Sequence, residues 1–176
     1  MAAVMGLEDQ EVSECCALVQ GEVSAANYNA PGQVVIAGEN SAVDRAIEVA
    51  KELGAKRAIK LDVSGPFHSR LMLSARDEFA EYIDKIEFSK PEIPVIQNVN
   101  AEISDEVDQI RSNLIEQLSA PVMWTATMNK LVGLGVERII ECGPGAVLRG
   151  LAKRVSRDLS LDGLDSLADM EAFLSG

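Results

Sequence analysis

Histidine is nearly absent from this chain of 176 residues: there is one, His68. Any imidazole chemistry therefore falls on that ring. No serine or cysteine stands in the surroundings of an activated nucleophile. Half of a histidine-dependent covalent mechanism is thus missing from the sequence. Cysteine is scarce as well, limited to Cys15, Cys16 and Cys142. An odd number with two adjacent residues excludes a disulfide framework and suits a reducing compartment. Neighbours on one helix point about 100° apart, so Cys15 and Cys16 are poor co-ligands. They read as partly buried free thiols, and no metal site is expected. Positive charge is short too: 16 basic residues face 28 acidic ones, for a formal net charge of −12. Phosphate binding needs a basic surface, so nucleic acid is not an expected partner. No apolar run approaches membrane-spanning length. Met1–Gly6 lacks the charged start of a signal peptide.

What remains is an ordinary globular composition, 47% apolar and 25% charged. The first third predicts a compact unit. Ala2–Met5 is a short apolar strand, and Asp9–Val19 has helical spacing with Val12, Cys15, Cys16 and Val19 on one side. Val23–Tyr28 and Gln33–Ala37 are strands joined by the turn Ala30-Pro31-Gly32. Ser41 is expected to cap a helix through Leu53, stopped by Gly54, and Arg57–Val63 to form the next strand. The order β-α-β-β-α-β is the split βαβ, or ferredoxin-like, arrangement.

The remainder has another rhythm. A long helix is expected over Ser69–Ile86, a strand within Pro91–Val99, and a helix from Ser104 or Asp105 to Leu118 that Pro121 cannot continue. Trp124–Leu134 predicts a helix and Val136–Cys142 a buried strand. Gly143-Pro144-Gly145 leads into the helix Ala146–Val155, and a short helix comes next near Asp165–Leu174. Alternating strands and helices imply a parallel sheet covered on both faces. Two core strands make a poor parallel sheet, which predicts that others come from a segment outside this sequence.

Ser64-Gly65-Pro66 sets up a turn that aims Phe67 and His68 outward from a loop after a strand, where an acid/base group is expected. The same residues also fit a solvated loop histidine. Gly143-Pro144-Gly145 before a helix is a place where an anion or a developing charge is met, or a plain strand-to-helix turn. Two basic pairs interrupt the acidic chain, Lys56-Arg57 and Lys153-Arg154.

Several stretches together resemble the malonyl-CoA:acyl carrier protein transacylase family. They are Asn27–Gly38 (NYNAPGQVVIAG), Gly54–Ala58, Val63–Ser69 (VSGPFHS), Pro94–Val99, Gln117–Trp124 (QLSAPVMW) and Glu141–Leu148 (ECGPGAVL). The resemblance implies an α/β fold: residues 1–63 as a ferredoxin-like subdomain, an α+β insert, then residues 64–176 as the C-terminal part of a large α/β-hydrolase-like acyltransferase domain. The family's Gly-Gln-rich segment, its Gly-His-Ser-x-Gly nucleophile elbow and its malonyl-gripping arginine have no counterpart in this sequence. The chain opens where the insert of the family begins.

The resemblance also implies roles. His68 is the general base of a Ser/His ping-pong transfer of malonyl from coenzyme A to acyl carrier protein in fatty acid biosynthesis. Gln117 offers a backbone carbonyl to the ring, a part that would not depend on its side chain. Phe67 favours malonyl over α-branched units by bulk, Asn29 faces the cleft, and Val147 is a wall of it. Lys56, Arg57, Lys153 and Arg154 dock the acidic carrier protein. No permanently bound cofactor, a bacterial-type cytoplasmic location and a partnership with the missing N-terminal part are implied by the same likeness. The residues themselves leave two alternatives open: a non-catalytic ferredoxin-like binding module, and a fragment that pairs with a separate chain.

Overall fold

The computed structural model describes residues 1–175; Gly176, the last residue of the expected second region, lies outside the described residues. The fold is mixed α/β and divides into two compact units, Met1–Thr127 and the residues from Met128 onward. The expected boundary after residue 63 falls inside the first unit.

In the first unit, β1 (Ala2–Met5), α1 (Asp9–Ala17), β2 (Val23–Ala30), β3 (Gln33–Gly38), α2 (Asn40–Glu52) and β4 (Arg57–Lys60) come in that order. The strands form one antiparallel sheet ordered β2-β3-β1-β4, the ferredoxin-like topology. Val4, Val34 and Ile36 from the sheet meet Val12 and Cys15 of α1 and Val43, Ala46 and Ala50 of α2 in one closed core. Burying each larger aliphatic side chain there contributes about 1.5–3 kcal/mol. Alanines at 42, 46 and 50 keep the face of α2 flat, so it can lie close to the strands. Pro31 and Gly32 connect β2 and β3, with Gly32 at φ 68, a conformation glycine adopts without strain.

Boundaries differ from expectation for local reasons. Helix α2 starts at Asn40 with Glu39 at its N-cap, so Ser41 lies inside the first turn and is not the cap. Strand β4 stops at Lys60 rather than Val63: Lys60 pairs with Ala2, and the next N–H, of Leu61, donates to Met1 O at 3.0 Å. The long helix predicted for Ser69–Ile86 is a 3₁₀ turn, Arg70–Met72, leading into α3 (Leu73–Ile83). Strand β5 is only Ile96–Gln97, paired antiparallel with β6 (Glu102–Ile103). Among the described residues β5 pairs with β6 alone. The chain reverses within four residues, where the Ala101 N–H returns to Gln97 O and Ala101 takes φ 57. Helix α4 (Val107–Glu116) begins later than Ser104 or Asp105, with Glu106 at the N-cap and its N–H on Ser104 Oγ.

Helix α5 (Trp124–Gly133) leads into the second unit. There β7 (Arg138–Cys142) pairs in parallel with β8 (Ser160–Leu164), a strand the acidic tail had concealed, and α6 (Val147–Val155) connects them. Helix α7 (Leu167–Ser175) closes the described chain. Within this chain Arg138 and Cys142 of β7 are exposed, Ile139 and Ile140 half-buried and Glu141 buried. Among the described residues no helix is long and apolar enough to cross a membrane.

Candidate active site

Beyond β4 the chain enters a loop tied across its own tip. Ser69, only 1% exposed, donates its hydroxyl to Pro66 O at 2.6 Å. His68 stands between them with φ 60, a left-handed backbone that costs a non-glycine residue roughly 1–2 kcal/mol. Two contacts hold it there. The His68 N–H donates to Leu118 O at 3.1 Å, and ring Nδ1 lies 2.7 Å from Gln117 O. A carbonyl only accepts, so Nδ1 carries the proton in this contact. Nε2 is left with its lone pair, as a general base requires. The ring is half-buried.

The two carbonyls are available because of how the chain leaves α4. In a continuing helix, Gln117 O would accept from the N–H four residues on. That residue is Pro121, which has none. Leu118 O would accept from Val122, but the Val122 N–H goes to Ala26 O of β2 at 2.8 Å. The Tyr28 N–H in turn donates to Val122 O at 2.9 Å, and Thr125 Oγ1 donates to Tyr28 O at 3.0 Å. A proline and an edge strand thus leave two adjacent acceptors for one histidine.

The other expected site residues are more dispersed. Phe67 is 40% exposed, and its ring lies over Gly65, where an added Cβ would stand 3.3 Å from Cζ. Asn29 sits in β2 rather than in a turn. It is skipped where the pairing with β3 shifts register between Tyr28 and Ala30. Lys56 and Arg57 lie at the start of β4, Arg57 exposed and the Lys56 stem laid over Gly6. Val147, Lys153 and Arg154 belong to the second unit, on α6; Val147 is 70% exposed. Lys153 lines a cavity of about 520 Å³ with Arg149 and Arg157.

The turn Gly143-Pro144-Gly145 does not present a free helix start. Glu141 reaches under it and accepts from the N–H groups of Leu148 and Arg149 at 2.9 and 3.0 Å. The Arg149 guanidinium adds a third bond at 3.3 Å. The Leu148 N–H above all, then the N–H and guanidinium of Arg149, hold the Glu141 carboxyl below its ordinary range despite burial. The anion that this helix start meets is the protein's own. Nothing in the sequence signalled that bond set; a glutamate ending an apolar strand was the one available hint. Among the described residues no three His, Cys, Asp or Glu side chains cluster as metal ligands.

Residues 1–165 match the family model described as acyl transferase domain. The chain is 40% identical over 176 residues to the malonyl CoA-acyl carrier protein transacylase of Staphylococcus aureus (strain COL), covering 98% of this chain and 57% of that protein. Among solved structures it resembles an acyl carrier protein S-malonyltransferase from Vibrio cholerae, with TM-score 0.94 and 45% identity over 98% of this chain and 57% of the other. It also resembles a malonyl-transacylase solved with a type II PKS acyl-carrier protein, with TM-score 0.94 and 42% identity over 99% and 58%. The chain thus spans somewhat more than half the length of the relatives it matches.

Proposed function

The chain belongs to the acyl transferase domain family, and from that premise we propose that it is the histidine-bearing portion of a malonyl-CoA:acyl carrier protein transacylase of fatty acid biosynthesis. Residues 1–63 are the ferredoxin-like insert and residues 64–176 the return into the large acyltransferase domain. The serine nucleophile lies in a segment outside these residues. The observation that carries this reading is the 2.7 Å contact between His68 Nδ1 and Gln117 O, which leaves Nε2 as the basic atom.

Serine is a weak nucleophile at neutral pH and needs a base. His68 Nε2 takes the hydroxyl proton as the serine oxygen attacks the thioester carbonyl of malonyl-CoA. The imidazolium then returns that proton to the departing coenzyme A thiolate. In the second half-reaction, Nε2 takes the proton of the carrier protein's pantetheine thiol, the thiolate attacks the malonyl ester carbonyl, and the imidazolium returns that proton to the departing serine oxygen, which regenerates both groups. The Gln117 carbonyl fixes the tautomer and faces the partial charge of the imidazolium, the part aspartate plays in a triad. Phe67 limits room at the α-carbon of the acyl unit, a discrimination worth on the order of 1–3 kcal/mol per methyl. Asn29 borders the substrate cleft. Lys56, Arg57, Lys153 and Arg154 steer the acidic carrier protein. The chemistry requires no resident cofactor, and malonyl-CoA is substrate. The protein works in a bacterial-type cytoplasm.

The test is mass spectrometry after exposure to malonyl-CoA. The 176-residue chain alone is expected to form no malonyl adduct. Adding a polypeptide that carries the Gly-His-Ser-x-Gly segment restores malonyl transfer, and His68→Asn abolishes it. A stable malonyl ester on this chain alone would overturn the reading.

A further inference from the structure

We propose that Gln117 acts through its side chain as the positioning residue of His68, stapling the turn that offers its own carbonyl and that of Leu118 to the histidine. This rests on the role proposed for His68 and goes beyond it, since the family likeness asks only for the Gln117 carbonyl.

The geometry is specific. Gln117 Nε2 lies 3.0 Å from Ala120 O and 3.0 Å from Pro121 O. A carboxamide has two N–H donors, and here each has one acceptor. Backbone bonds close this turn only as far as Ala120, through the Ser119 and Ala120 N–H groups to Glu116 O. Pro121 can add no bond of its own. The Gln117 amide supplies what the proline withholds, two donors beyond the reach of the helix ladder. On the far side, Val122 is pinned to β2 through Ala26 O and the Tyr28 N–H. The segment 117–122 is thereby held at one end by a side chain and at the other by a sheet edge. His68 docks on the side-chain-held end with both Nδ1 and its backbone N–H. Without the staple, Gln117 O is free to tilt toward water and the ring loses its fixed acceptor.

The single histidine makes this directly measurable. In the intact chain labelled with ¹⁵N-histidine, the two ring nitrogens report which one carries the proton. The wild-type protein is expected to show the Nδ1–H form as the main neutral species. Gln117→Met keeps the length and removes both donors. It is expected to shift the tautomer ratio about tenfold toward the Nε2–H form that an unconstrained side chain prefers, the factor expected from one to two neutral hydrogen bonds. If that variant does not fold, Gln117→Asn replaces it, keeping the amide but one methylene short of both carbonyls. A wild-type Nδ1–H signal that persists in the folded variant overturns the staple and leaves the histidine reading intact. A wild-type ring already in the Nε2–H form removes the Gln117 carbonyl contact, and with it both proposals.

Discussion

Within this chain, which spans somewhat more than half the length of its relatives, residues 1–63 close a core of their own and the residues after them do not. Among the described residues nearly every buried apolar side chain lies before residue 64; after it only Ile83, Ala101, Met128 and Ala152 qualify. The buried polar side chains, Ser69, Asn113, Thr127 and Glu141, all lie after it. The first region is held by a closed aliphatic core. In the second, the buried polar groups each have their own partners: Ser69 with Pro66 O, Asn113 with Gln97 and Gln109, Thr127 with Asn98, and Glu141 with the start of α6. A core tolerates volume-conserving repacking, whereas a buried polar group left without its partner costs about 1–3 kcal/mol. The candidate base sits among the polar points. That suits a side chain whose tautomer must be set by one neighbour.

The widest expected gap between the two regions is in thiol reactivity. Burial pushes the Cys16 thiol up to about 12, with Cys15 adding to the effect, while Cys142 is exposed. At about pH 8, Cys16 has roughly four orders of magnitude less thiolate than thiol. Timed alkylation read by intact mass should give one rapid addition, at Cys142, with Cys15 and Cys16 reacting only on unfolding. Fast labelling of all three would mean that the first region's core is open.

Next comes the cost of truncation. Ile36→Ala, at a fully buried site of the first core, should lower unfolding free energy by about 2–5 kcal/mol in urea titration. Asn113→Leu should cost about 1–3 kcal/mol although it adds apolar surface, because Gln97 Oε1 loses its donor. A neutral or stabilising Asn113→Leu would break the contrast, showing the second region to be an apolar core in disguise.

The smallest effect concerns acid. The Glu141 carboxyl is held below its unfolded value, so its contribution to stability is complete above about pH 4.5. It is lost as pH falls through the lower folded value. The second unit should therefore loosen on acidification below that point, monitored by amide spectra of β7 and α6. Glu141→Gln should flatten this part of the pH profile. An unchanged profile would mean that the carboxylate charge is not what anchors α6.

The first region was legible because pattern and packing coincide there. The Pro-Gly turn and the β-branched run Val34-Val35-Ile36 point to the same sheet. The second was less so because its elements are short and set by specific bonds. A two-residue strand such as Ile96–Gln97 leaves no periodicity to read. Strand β8 contains Asp162 and Gly163 and pairs only because β7 lies alongside. His68 stood out by rarity and Gln117 by family likeness. The reach of the Gln117 amide to two carbonyls, and the Glu141 bonds under α6, depend on three-dimensional closure that no spacing encodes.

The left-handed backbone at His68 has a practical consequence for anyone designing an inert version of this protein. Alanine there would erase the imidazole yet keep the torsional penalty, so a loss of function would mix chemistry with local misfolding. Glycine visits that region freely and asparagine does so more readily than most residues. Either exchange separates what the ring does from what the bend demands.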